Sequence, residues 1–93
     1  MFHNILMRMR MKIRRNNYVM TIHAEEEMNE EDFTIFDVER AILTGSILER
    51  QRDRETGESK YRIRGTAVAG DKLELFAKFS PTDKLVVLTV YTP

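Results

Sequence analysis

The apolar period of this chain changes at Gly45. Before it, apolar residues recur at the three- and four-residue spacing of a helix; after it they alternate, as in strands with one covered face. This order predicts helices first and a meander of strands second. The expected class is α+β, with the N-terminal helices packed on a four-stranded antiparallel sheet.

Ile5, Met9 and Ile13 recur at four-residue steps and predict a first helix near residues 5–15, stopped by Asn16-Asn17. Met1, Met7, Met9 and Met11 each offer a translation start. Tyr18-Val19-Met20 reads as a short apolar bridge. Thr21 is placed to cap a helix over residues 22–31, whose apolar stripe is Ala24 and Met28. The third helix, residues 35–44, carries the most complete signals. Thr34 and Asp37 approximate a capping box, Phe33 and Val38 a hydrophobic staple, and Gly45 suits a left-handed C-terminal cap.

Strands are expected near 46–53, 59–66, 72–80 and 84–92, separated by turn signals at Asp53–Glu58, Gly70-Asp71 and Ser80–Asp83. Gly65, inside a strand, signals a bulge or a close approach of another backbone. Leu85 to Tyr91 is apolar almost throughout, as in a central strand.

The 93 residues suffice for one domain: a basic helical segment, 1–17, followed by a core over 18–93. With no Cys there is no disulfide and no thiolate chemistry, which suits a cytoplasmic location. No apolar run is long enough to span a membrane, and Arg and Lys interrupt any signal-peptide core. The formal net charge of zero hides segregation. Residues 1–20 hold Arg8, Arg10, Lys12, Arg14 and Arg15 and no acid. Residues 21–39 hold eight acids, Glu25, Glu26, Glu27, Glu30, Glu31, Asp32, Asp37 and Glu39, and no Lys or Arg. Either the two segments neutralise each other within the fold, or they present opposed faces to partners.

His23-Ala24-x-x-x-Met28, Phe33-Thr34-x-x-Asp37-Val38, Ala41-Ile42-x-x-Gly45, Glu49-Arg50-Gln51-x-Asp53, Tyr61-x-Ile63-x-Gly65 and Leu88-Thr89-Val90-Tyr91 together resemble the bacterial and archaeal family called domain of unknown function 4258. Many relatives carry Arg where this chain has Glu27 and Glu31. That family in turn is similar to the RelE and MqsR toxins. The resemblance implies a toxin of a type II toxin–antitoxin pair, a metal-independent endoribonuclease that cuts mRNA and is neutralised by a small antitoxin. No cofactor is implied. The alternative is a non-catalytic interaction module that keeps the fold without the chemistry.

Metal-free RNA cleavage needs a base, cations for the phosphate and an acid for the leaving oxygen. The candidates for catalysis are His23, Arg62 and Tyr91. The candidates for RNA binding are Arg50, Arg52, Lys60, Arg64 and Lys78. Alternation puts Lys60, Arg62 and Arg64 on one strand face, either as a phosphate stripe or as cross-strand ion pairs. With Leu48 opposite Ile63, Glu49 faces Arg62 and Gln51 faces Lys60. Lys78 shares a face with Glu74 and is expected to pair with it. Tyr91 reads as a tyrosine with a bonded hydroxyl, or as a proton donor. His23 and Glu27 lie one helical turn apart. They could form a base and its orienter or a metal pair, or the imidazole could serve packing alone.

Overall fold

The structure, a computed structural model, describes all of residues 1–93. The helices are α1 (His3–Arg14), α2 (Ile22–Glu30) and α3 (Ile35–Thr44). The strands are β1 (Tyr18–Met20), β2 (Ser46–Arg52), β3 (Ser59–Thr66), β4 (Lys72–Phe79) and β5 (Leu85–Tyr91). No helix is long and apolar enough to cross a membrane.

The fold is α+β, but the sheet has five strands and is mixed, in the order β1-β5-β4-β3-β2. Tyr18–Met20, read as a bridge, is an edge strand running parallel to β5, with Tyr18 beside Leu85 and Met20 beside Val87. Three residues are too short for a period to show, and the strand exists because β5 offers it an edge. The remaining pairs are antiparallel.

The core is built from Met9 and Ile13 of α1, Ala24 of α2, Val38, Ala41 and Ile42 of α3, and the odd-numbered residues Tyr61, Ile63, Leu73, Leu75, Ala77, Leu85 and Val87, with Val90. The parity breaks at Val90 because a bulge interrupts the β4–β5 register between Phe76 and Ala77. A second irregularity lies between Ile47 and Glu49. Ile47, not Leu48, therefore faces Ile63, while Glu49 still faces Arg62 and Gln51 still faces Lys60.

Glycine decides how closely α3 sits on the sheet. A Cβ on Gly65 would stand 2.3 Å from the Ala41 carbonyl oxygen, and one on Gly45 would stand 2.2 Å from the Arg64 carbonyl oxygen. Gly45 is not a left-handed cap. Its φ of −90° and ψ of −163° are extended, and the glycine serves close approach instead. The exposed end of α3 is closed by α1: Arg10 donates Nε to the Ile42 carbonyl (3.1 Å) and Nη2 to the Gly45 carbonyl (2.8 Å). The left-handed stops fall on Asn16 (φ 54°) and Asp32 (φ 58°). There Asn17 N–H reaches Lys12 O and Phe33 N–H reaches Met28 O, the six-to-one bonds of Schellman caps.

The capping box of α3 is complete. Asp37 N–H donates to Thr34 Oγ1 at 3.4 Å, and Thr34 N–H donates to Asp37 Oδ2 at 2.8 Å. Asp37 Oδ1 also accepts from Val68 N–H at 2.9 Å, tying α3 to the β3–β4 turn. The backbone bonds from Thr34 and Val68 hold the Asp37 carboxyl below the usual aspartate range. On α2, Thr21 Oγ1 accepts from Ala24 N–H at 3.0 Å and donates to the Leu88 carbonyl at 3.1 Å.

Thr34→Ala should cost about 1 kcal/mol, and Asp37→Ala about 2 kcal/mol because two backbone donors lose their acceptor. Since the folded pKa of Asp37 is depressed, its contribution is whole above the unfolded value. It fades as pH falls below about 4. Urea denaturation of each variant at neutral and acid pH checks both. Gly65→Ala should abolish folding or force α3 off β3, seen as lost cooperativity in thermal unfolding.

Candidate functional site on the open face of the sheet

Odd residues of β3 and β4 face the helices, so the even ones face the other side. Lys60, Arg62 and Arg64 of β3, Glu74, Phe76 and Lys78 of β4, and Tyr91 and Thr89 of β5 share that face, with Glu49 and Gln51 at its margin.

Glu74 is its centre. It is only 3% exposed although no helix covers it. Arg62 Nη1 donates to Glu74 Oε1 at 3.0 Å, and Tyr91 Oη donates to the same oxygen at 2.9 Å. Arg64 donates Nε to Oε2 at 2.7 Å, with Nη2 at 2.6 Å from the same oxygen. Arg62 also donates Nε to Glu49 Oε1 at 2.8 Å. Two guanidiniums and a phenol thus converge on one carboxylate, which would be costly to bury without them.

The electrostatics follow from this packing. Burial pushes the Glu74 carboxyl up, but the bonds from Arg64, Tyr91 and Arg62 outweigh it, and the group lies below the usual glutamate range. Burial, then the bond to Glu74, raises the Tyr91 phenol above the usual tyrosine value. The bond from Arg62, with a lesser one from Gln51, lowers Glu49.

Aromatic rings and further cations border the cluster. The Phe76 and Tyr91 rings lie 6.4 Å apart, tilted by 32°, and Lys60 Nζ stands 5.0 Å from the Phe76 ring centre. Lys78 Nζ meets Glu58 Oε2 of the hairpin at 3.2 Å, not Glu74, whose oxygens are already taken. Towards the hairpin tip a hollow of about 360 Å³ is lined by Arg52, Glu58, Ser59, Lys60, Lys78 and Leu88 among others.

The structure therefore brings together Arg62, Arg64 and Tyr91, with Lys60 and Lys78 beside them. Arg50 is not of this set. It pairs with Tyr61, so its side chain lies on the opposite face, and one-residue alternation on β2 is the reason. Arg52 borders the hollow, its Nε donating to the Gly57 carbonyl at 3.3 Å. His23 neither packs under the sheet nor joins the cluster. Its side chain is 68% exposed and lies 3.1 Å from Glu27. Glu27 is itself held by Thr89 Oγ1 at 2.5 Å and by Val90 N–H at 3.1 Å. Glu31 likewise accepts from Thr92 Oγ1 at 2.8 Å. Both glutamates fasten α2 along β5. No three His, Cys, Asp or Glu side chains gather at any metal-binding geometry.

The sequence offers Glu74 only as a partner for Lys78, not as the centre of this face. Its signal was a lone acid among the apolar residues of β4, but its meaning depended on the β3–β4 register, which sets it opposite Arg64.

A family model described as domain of unknown function (DUF4258) matches residues 20–92, and the chain belongs to that family. No curated protein and no solved structure matches it. The match begins after α1, although Met9 and Ile13 of that helix lie in the core.

The Tyr91–Glu74 bond can be read by titration. In Glu74→Gln the phenol loses the carboxylate that helps hold its proton, while burial still acts. Its pKa should fall towards the ordinary tyrosine value without reaching it. Tyrosine ring-carbon NMR followed into alkali checks this; an unmoved Tyr91 resonance would contradict the bond.

Proposed function

We propose that this member of the family is the toxin of a type II toxin–antitoxin pair and cuts RNA on the open face of its sheet. The observation that carries the reading is the meeting of Arg62, Arg64 and Tyr91 on the buried carboxylate of Glu74. The resemblance to RelE and MqsR toxins supports the same class of reaction.

The chemistry follows from the groups. Arg62 and Arg64 present planar donors suited to the non-bridging oxygens of a phosphate. A phosphate that takes their bonds releases Glu74, and burial then favours its protonated form. The carboxylate thus gains proton affinity when substrate arrives. Glu74 takes the proton of the 2′-hydroxyl, the 2′-oxygen bonds to phosphorus, and the bond to the 5′-oxygen breaks. Tyr91, whose raised pKa keeps it protonated, gives its proton to that oxygen. The guanidiniums offset the charge that gathers on the phosphate. Phe76 and Lys60 flank the cluster, where a base can stack and a neighbouring phosphate can pair. His23 has no step in this scheme.

A second reading has an observation of its own. Within the Glu74 cluster two acids meet two cations, and Glu27 and Glu31 are spent on holding α2 to β5. Such a face suits a non-catalytic interaction module equally well.

Purified chain incubated with mRNA, free and on ribosomes, separates the two. Under the nuclease reading, Glu74→Gln lowers cleavage by about 10²- to 10⁴-fold, the usual worth of a general base. Cleavage survives a chelator and weakens with added salt. Circular dichroism checks that the variant stays folded, and Tyr91→Phe supplies a second, milder loss. RNA left intact by the unmodified chain under both conditions would remove the nuclease and leave the interaction module.

A further inference from the structure

β1 is an open edge. Leu85 N–H donates to the Asn17 carbonyl and Thr21 N–H donates to the Val87 carbonyl, so residues 17, 19 and 21 bond towards β5. Alternation then turns the N–H and C=O groups of Tyr18 and Met20 outward, where the sheet ends. Along this edge runs a groove of about 470 Å³ lined by Asn16, Tyr18, Val19, Met20, Glu25 and Ile35. Val19 is 44% exposed and Ile22 76%.

Charge makes this edge directional. The cations of residues 1–20 do not neutralise the acids of residues 21–39, contrary to one reading of the sequence. Arg8 and Lys12 pair with Asp83 instead, and Arg10 is spent on α3 carbonyls. Arg14 and Arg15, just before β1, and Glu25 and Glu26, just after it, are exposed and enter no ion pair. The strand itself is uncharged, but the end of α1 that leads into it is basic and the first turns of α2 that follow it are acidic.

We infer that β1 pairs antiparallel with β1 of a second copy of this chain, across a two-fold axis at Val19. An isologous interface must be complementary to itself, and this one is. The axis sets Tyr18 against Met20 of the partner copy, the two residues whose backbone groups point outward. It also brings Arg14 and Arg15 of each copy to Glu25 and Glu26 of the other. A basic extended peptide could satisfy Glu25 and Glu26, but it would leave Arg14 and Arg15 unmatched. The second copy satisfies both ends.

Sedimentation velocity of the full chain across the micromolar range tests this. The mass should rise from 11.0 kDa towards twice that value with concentration, and should fall again with added salt. Arg14→Glu with Arg15→Glu should give a chain that stays single. Glu25→Arg with Glu26→Arg should do the same. Mixing these two chains should restore the pair, because each then meets its opposite at both ends. Amide exchange at Tyr18 and Met20 should slow with concentration. A chain that stays single throughout would overturn the inference. So would association that ignores the charge reversals, or a mixture that fails to pair.

Discussion

The seating of α3 on β3 governs the molecule. Ala41 meets Gly65, and Gly45 meets the Arg64 carbonyl, at distances that leave no room for a side chain. Because α3 is pressed there, Tyr61 and Ile63 must face it, and Lys60, Arg62 and Arg64 must face away. Asp37 fixes one end of this helix to the β3–β4 turn, and Arg10 closes the other. The open face and its cations follow from a contact on the reverse side.

On that open face the cationic stripe is not free. Glu74 draws two guanidiniums and a phenol into one cluster, and the margin supplies Glu49. Such an arrangement satisfies its charges without any ligand, and in the proposed reaction a phosphate takes the place of the carboxylate. The same pairing therefore serves the resting fold and the proposed reaction, with Glu74 acidic at rest and more basic once its donors are occupied.

The outer side of β5 is covered by two different elements. The upper part of β5 is covered by α2, where Thr21 takes the Leu88 carbonyl, Glu27 takes the Val90 N–H and Glu31 takes the Thr92 hydroxyl. The lower part is covered by β1, whose own outer side is left open. Covering β5 with β1 moves the unpaired groups outward by one strand, to Tyr18 and Met20.

The sequence alone carried the three helices, the threonine caps of α2 and α3 and the antiparallel run from Ser46 to Tyr91, because each rests on periodicity or on residues within a few positions of one another. It also carried the pairing of Glu49 with Arg62, since a hairpin fixes its own register. Tertiary structure alone decided the rest. β1 exists only where β5 receives it, and Gly45 is glycine for a distant carbonyl, not for its own dihedrals. The bulge at Leu48 shifted its neighbours. Arg50 fell on the helix side and His23 in solvent, while Glu74 became the centre of the face. These outcomes depend on which residues from distant segments stand opposite one another, and local periodicity does not encode that.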